Sequence, residues 1–200
     1  MLTADQRDSS RSEDAVPEAL EALAAIDGFT LAWERTAGDE IQALTTSPSA
    51  AVQAVSVLVR LGTWRVGLGV GSVQLPLPDS TRAARGTAYV RARDAVDRAR
   101  RSPVPVAIEG TTASDAEDAL WLLVTVLDRR TPEGWRVADL LDEGRTQYEV
   151  AAILAISQSA VSQRAARAAV EQVRRGAALV ERELQTALGK MSVGLDRLAP

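Results

Sequence analysis

The sequence predicts an α+β protein in two parts, a unit of mixed strands and helices over residues 1–110 and an all-helical unit over residues 111–200. Three observations carry that prediction. Short stretches before residue 110 alternate between strand and helix periods, glycine or proline punctuates nearly every change, and after Gly110-Thr111-Thr112-Ala113 only helical spacing remains. With 46% hydrophobic and 25% charged residues over 200 positions, the chain has ordinary globular composition.

Taken in order, Leu2 to Asp5 reads as a short strand, and Val16, Leu20, Leu23 and Ile26 share one face of a helix that Gly28 closes. Thr30 to Thr36 and Ile41 to Thr45 read as strands joined by Ala37-Gly38-Asp39-Glu40, where Gly38 gives the freedom that a tight hairpin needs. Pro48 starts a helix through Leu61, Gly62 ends it, and a strand follows from Trp64 to Gly71. The order is βαββαβ. Right-handed crossovers in that order give an antiparallel sheet with helices on one face, the ferredoxin-like arrangement. Thr87 to Arg101 adds a helix, and Val104 to Ile108 adds a last strand, whose Pro103 and Pro105 suit an edge.

In the second part, Ser114 with Glu117 three residues on has the capping-box pattern, opening a helix that carries Leu120, Leu123, Val124 and Leu127. Thr131-Pro132 restarts a helix through Leu141, and Gly144 ends it. Thr146 to Leu154 and Gln158 onward are the next helices, the last interrupted at Gly176 and running to about Leu188. Ala165, Ala169, Val173, Val180 and Leu184 form an apolar stripe that fits the chain's own core or a second copy.

Composition excludes much chemistry. With no cysteine and no histidine, disulfides, thiol catalysis, thiolate or imidazole zinc and every Ser-His or Cys-His pair are ruled out. Runs such as Leu120 to Leu127 fall far short of the roughly 20 residues of a bilayer span, and Met1-Leu2-Thr3-Ala4-Asp5 lacks signal-peptide order. A cytoplasmic chain with no membrane contact is expected.

The net charge of −4 hides an uneven distribution. Residues 1–25 hold six acids against Arg7 and Arg11, and residues 109–143 hold nine against three arginines. Residues 79–101 hold seven arginines against three aspartates, and residues 157–175 hold four against Glu171. Lys190 is the sole lysine beside 22 arginines, a coding bias more simply than a selection for phosphate binding. In the first basic segment, Arg91, Arg98 and Arg101, with Arg93 and Arg100 on neighbouring faces, suit phosphate neutralisation, and paired with Asp94 and Asp97 at helical spacing they suit a solvated face better. Gly67, Gly69 and Gly71 alternate as if one strand face stayed bare for a helix or ligand. Trp33, Trp64, Trp121 and Trp135 are expected in the core.

Residues 147–164 carry the most information. The stretch resembles the helix-turn-helix of bacterial DNA-binding regulators, with the motif spanning 146–168. Ala151 is small where two helices cross, Leu154, Ile156 and Val161 are spaced to share a core, Ala155 stands where glycine is usual, and Ser157 caps the second helix. The resemblance implies that Gln158, Ser159, Ser162 and Gln163 face base edges of double-stranded DNA, with Ser157 at the same interface, while Arg164 and Arg167 meet phosphates.

Gly38-Asp39-Glu40-Ile41-Gln42 followed by Arg65-Val66-Gly67-Leu68-Gly69-Val70-Gly71 resembles the hairpin and next strand of nucleotide-cyclase and GGDEF-type domains. Taken with Ala4 to Arg11 and Arg85 to Arg93, the pattern resembles the SatD-like family, which joins such a domain to a C-terminal helix-turn-helix. The resemblance implies a cyclase-like unit in which Asp5 and Asp39, with Glu40 adjacent, hold a metal such as Mg²⁺ beside a nucleotide-type ligand, and Arg91 contributes to ligand binding. This sequence lacks the doubled glycine of an active diguanylate cyclase and any lysine near the site, so a sensing or dimerising role is favoured over catalysis. The resulting expectation is a homodimeric transcriptional regulator. The alternatives are a metal-dependent nucleotide-binding or nucleotidyl-transfer domain governed by the helical half, or a helical half that is a protein-interaction module.

Overall fold

Alternation in the first few residues, Leu2 and Ala4 against Thr3 and Asp5, puts a short strand at the centre of the protein rather than at an edge. In the computed structural model, β1 (Leu2–Gln6) lies between β3 (Glu40–Thr45) and β4 (Trp64–Gly69), buried on both faces, and the sheet order is β2-β3-β1-β4-β5. Here β2 spans Phe29–Ala37 and β5 spans Val106–Glu109. The structure describes residues 1–9 and 11–196; residues 197–200, the end of the expected helical unit, lie outside the described residues.

β1 pairs antiparallel with β3 (Asp5 opposite Glu40) and with β4 (Asp5 opposite Arg65), and β2 pairs antiparallel with β3 through the Gly38 turn, where φ is +56°. β5 runs parallel to β4, from Val66 opposite Val106 to Gly69 opposite Glu109. The sheet is therefore mixed rather than purely antiparallel, and the architecture is α+β. Its parallel partner closes the edge carrying Pro103 and Pro105, both of which fall just before the strand.

α1 (Val16–Ala24) and α2 (Pro48–Leu61) cover one face, burying Val16, Ala19, Leu23, Val55 and Leu58 against Leu2, Ala4, Ile41, Val66 and Leu68. α2 begins at a Ser47 hydroxyl that accepts from the Ala50 N–H at 3.2 Å and stops at Gly62, where φ is +75°. α3 (Thr87–Ala99), the helix added after the βαββαβ order, covers the opposite face. Alternation is the cause: Val66 and Leu68 point toward α2, so Gly67 and Gly69 point the other way, where a methyl would strike the α3 backbone at Val96, Ala92 and Ala88. Ala88, Ala92, Ala95 and Ala99 give α3 an equally thin surface, and helix and strand backbones meet closely. β4 itself ends at Gly69, two residues before the expected Gly71.

α4 (Ser114–Leu127) and α8 (Val170–Asp196) belong to the same hydrophobic cluster as α1, α2 and the sheet, through Leu120, Leu123, Val124 and Leu127 on one and Val180, Leu184 and Ala187 on the other. The change from strands to helices at residue 110 is thus a change of element type within one continuous core. In the helical half α5 (Pro132–Asp142), α6 (Gln147–Leu154) and α7 (Gln158–Arg167) pack in separate small cores, and α3 has its own on the other face of the sheet.

Two local expectations are corrected here. Ser114 does not cap α4: the N-cap is Ala113, and the Glu117 carboxylate instead binds Arg98 and the Ile108 N–H, off the helix. The break in the last helical stretch falls at Ala168-Ala169, where Ala169 has φ +50°, and not at Gly176. Gly176 lies within α8, where a methyl would come within 3.2 Å of Leu123 Cδ1, so this glycine serves close packing on α4. Val173, Val180 and Leu184 stay together in the α8 stripe, while Ala165 belongs to the small α5–α7 core and Ala169 to the break.

Candidate nucleic-acid interface

The first turn of α6 is fixed by its own sequence. The Thr146 hydroxyl accepts from the Glu149 N–H at 3.3 Å, and the Glu149 carboxylate accepts from the Thr146 N–H at 2.7 Å, a reciprocal cap. The Thr146 N–H and, after it, the Thr146 hydroxyl donating at 2.8 Å hold the Glu149 carboxyl below its ordinary 4.5. At the other end Ala155 adopts φ 52°, ψ 44°, a left-handed residue that has a Cβ, and the chain turns. Ser157 then accepts from the Ala160 N–H at 3.1 Å, and α7 begins.

Val150 and Ala151 of α6, Val161 of α7 and Val137 of α5 are buried together, with Leu140, Leu154, Ile156 and Ala165 packed around them. Ala151, 8% exposed, is small where these helices converge. With Val161, Ala165 and Ala168 turned inward, the spacing of α7 turns Ser159, Ser162, Gln163 and Ala166 outward. Ser157, Gln158, Ser159, Ser162, Gln163 and Arg167 are all exposed, and Arg164 is half-buried on the flank beside α5. The structure therefore leaves Ser157, Gln158, Ser159, Ser162, Gln163 and Arg167 exposed around α7, polar and uncharged in its first half, with Arg164 on the flank.

The α5–α7 unit is held to the rest of the molecule by contacts that the sequence did not single out. Trp135, half-buried against the main core, is flanked by two guanidiniums, Arg60 of α2 at 5.0 Å and Arg130 at 4.8 Å from the ring centroid. Arg60 also pairs with Asp139 at 2.9 Å, and Arg130 donates through Nε to the Ala168 carbonyl at 2.7 Å. Burial lowers the pKa of Arg130, opposed by Asp142 and Asp139. Arg174 at the start of α8 binds Asp142 and the Leu141 carbonyl. Apart from Arg130 on Trp135, each of these joins residues more than 30 positions apart, a distance over which local spacing carries no signal.

The expected ligand residues on the other half are placed differently. Asp5 and Glu40 are cross-strand neighbours on the α3 face, both buried. Arg100 donates to Asp5 at 2.9 Å, with Arg65 at 4.0 Å, and Arg93 pairs with Glu40 at 3.0 Å, with Gln42 and Thr36 completing its hydrogen bonds. Binding Asp5 raises the pKa of Arg100. Asp39 stands at the hairpin tip beside them, half-buried. Arg91 is remote: it donates to the Val70 carbonyl and to Thr111. Val70 follows the far end of β4 from Arg65, a separation of about 16 Å at the usual strand rise. Asp5, Asp39, Glu40 and Arg91 are thus not one constellation.

Nor does the carboxylate set fit the metal pair that a cyclase-like domain implies. Two divalent ions need several free carboxylate oxygens, whereas guanidiniums already neutralise Asp5 and Glu40, and among the described residues no group of three or more acids is placed to hold a metal. The basic segment behind them is likewise neutralised in part, at Arg93, Arg98 and Arg100. Arg98 binds Glu109 and Glu117, and of the expected helical-spacing pairs the structure contains Arg100 with Asp97 at 3.2 Å. Compared with known proteins, the chain matches no family model, no curated protein and no solved structure.

Proposed function

We propose that this chain is a sequence-specific DNA-binding regulator that reads double-stranded DNA with α7, and that α6, the Ala155 turn and α7 form a helix-turn-helix braced by α5. The observation that carries the reading is the outward polar surface of α7: Gln158, Ser159, Ser162 and Gln163 are exposed while Val161 beneath them is fully buried. A helix presenting amides and hydroxyls and no acid suits the donor and acceptor pattern of the major groove, with glutamine matching adenine and serine several bases. Arg164 and Arg167, three residues apart on the flank, suit backbone phosphates, which position a protein without specifying sequence.

The remaining half is read as a ferredoxin-like scaffold of the cyclase-like, SatD-like kind. The order of its first four strands and their antiparallel pairing support that topology. The arginine-paired carboxylates favour a structural role over metal or nucleotide binding. One recognition helix covers few base pairs, so the reading includes a homodimer on a two-fold site. Among the described residues no helix is long and apolar enough to cross a membrane.

Selection of bound duplexes from a random library, followed by electrophoretic shifts, tests the reading. Wild-type chain is expected to enrich a sequence, and Gln163→Ala to weaken the selected duplex by about 10- to 100-fold while changing the preferred base, the scale of one good base contact. Enrichment that survives Gln158→Ala combined with Gln163→Ala would remove α7 as the reader. An absence of any duplex binding at low salt would leave α5–α7 as a protein-interaction module.

A further inference from the structure

Among the described residues many arginines are engaged. Arg93, Arg98, Arg100, Arg145, Arg174 and Arg175 each hold a carboxylate, while Arg91 and Arg130 hold backbone carbonyls. Against that background three unengaged arginines converge in one place. Arg129 follows the end of α4, Arg164 and Arg167 lie on the flank of α7, and together they line an open groove of about 310 Å³ with Thr131, Glu133 and Gly134 of the α5 start. Among the described residues none of the three arginines has an ion pair. Arg164 feels Glu133 only as a longer-range charge, one of the lesser influences lowering that carboxyl, which chiefly accepts from its own N–H and from Thr131. The groove is therefore positive on balance, three guanidiniums against one acid.

The groove borders the outward face of α7 on its α5 side, since Arg167 stands four residues after Gln163 on the same helix. Its two walls are fastened to each other. Arg130, next to Arg129, donates to the Ala168 carbonyl immediately after α7, and the Ala168 methyl packs 3.1 Å from where a side chain on Gly134 would begin. Arg129 thus hangs from α4, a helix of the main core, while Arg164 and Arg167 belong to the reading helix.

Resting on the DNA reading above, we infer that this groove seats phosphates of the DNA backbone, so that Arg129, outside the helix-turn-helix, forms part of the interface and sets how α7 lies against the duplex. Guanidiniums aligned beside a reading helix match the spaced anions of one strand bordering the groove that the helix enters. Such contacts release counterions, so each one lost lowers the salt dependence of binding by about 0.9 in the log–log slope, equivalent to about an eightfold weakening for each tenfold fall in salt.

The experiment titrates full-length chain against a 30-base-pair duplex of mixed sequence and against a selected duplex, across a series of salt concentrations. Arg129→Ala is expected to weaken both duplexes by the same factor, reduce the slope by about 0.9 and leave base preference unchanged. Glu133→Gln is expected to strengthen both, a gain that damage to the fold cannot imitate. Arg101→Ala, on the opposite side of the sheet, is the control and should leave the slope alone. If Arg129→Ala and Glu133→Gln both leave affinity and slope at wild-type values while Gln163→Ala still shifts preference, the groove is not a phosphate seat and α7 remains the reader. If Arg129→Ala changes base preference rather than slope, the assignment to phosphate is wrong. If wild-type chain binds neither duplex at low salt, the DNA reading falls and takes the groove with it.

Discussion

Ala155→Gly is the most direct probe of the turn on which the α7 surface depends. Ala155 is exposed and adopts φ 52°, ψ 44°, with its N–H turned back to the Ala151 and Ala152 carbonyls. An L-residue with a Cβ costs about 1–2 kcal/mol in that conformation, and glycine removes the cost. Glycine also loosens the unfolded chain, at about 0.5–1 kcal/mol. The two effects leave a net stabilisation of about 0.5 kcal/mol. Ala169, at φ 50°, is an internal replicate and should respond with the same sign. Ala178→Gly supplies the contrast: this exposed residue sits inside α8, where glycine gains nothing and is expected to destabilise by about 1 kcal/mol. The informative quantity is the difference between sites, about 1.5 kcal/mol, read from urea midpoints at constant slope, with amide exchange in α6 and α7 reporting whether those helices open separately. Should Ala155→Gly destabilise as much as Ala178→Gly, the residue is not left-handed, and the turn between α6 and α7 does not have this form.

Two further outcomes follow from the geometry. In Gly69→Ala the new methyl falls on the Ala88 carbonyl and the Ala92 backbone, neither of which can yield without moving α3, so a loss of about 3 kcal/mol is expected from overpacking; a denaturation midpoint within error of wild type would show that α3 does not lie on that strand. The Glu149 carboxyl is held below its ordinary value by its hydrogen bonds from Thr146, so the stabilisation it gives is fully present above its unfolded value of about 4.5 and disappears as pH falls through the lower folded value. NMR titration should find Glu149 titrating below 4.5 and returning toward it in Thr146→Ala, and an unshifted Glu149 in wild type would mean that the reciprocal cap does not form.

Where local chemistry decides, the sequence was readable. Ser47-Pro48 and Gly62 bound α2, Thr131 accepts from Gly134 at the start of α5, and Ala155 with Ser157 marks the turn before α7. The outward set on α7 was legible for the same reason, because one buried residue, Val161, fixes the phase of a short helix. What failed was partnership over distance. Gly67 and Gly69 announced a bare strand face but not that α3 would fill it. Ser114 and Glu117 have capping-box spacing, yet Glu117 is drawn to Arg98, 19 residues earlier. Asp5 and Glu40 look like metal ligands in a linear reading because the arginines that neutralise them come 95 and 53 residues later. Gly176 reads as a helix stop, although the missing side chain makes room for Leu123 of α4.

The same long-range pairs decide how any influence on the first half would reach α7. That helix is fastened behind by Arg130 on the Ala168 carbonyl, and its supporting α5 by Arg60 on Trp135 and Asp139 and by Arg174 on Asp142. Each exposed contact contributes little alone, about 0–1 kcal/mol for the ion pairs and about 0.5–1 kcal/mol for each stacked guanidinium. Acting on one unit they add, and a reorientation of α7 has to break several together. All of them issue from α2, α8 or the end of α4, on the face of the sheet opposite α3, whereas Asp5 and Glu40 point into the α3 layer. A molecule bound at those carboxylates would first have to displace Arg93 and Arg100, and its effect would then have to cross the sheet. A signal arriving at the α2 end or at the α4–α5 connection needs neither step, and Arg60, at the last turn of α2 and in contact with both Trp135 and Asp139, is where such a signal would meet the α5–α7 unit.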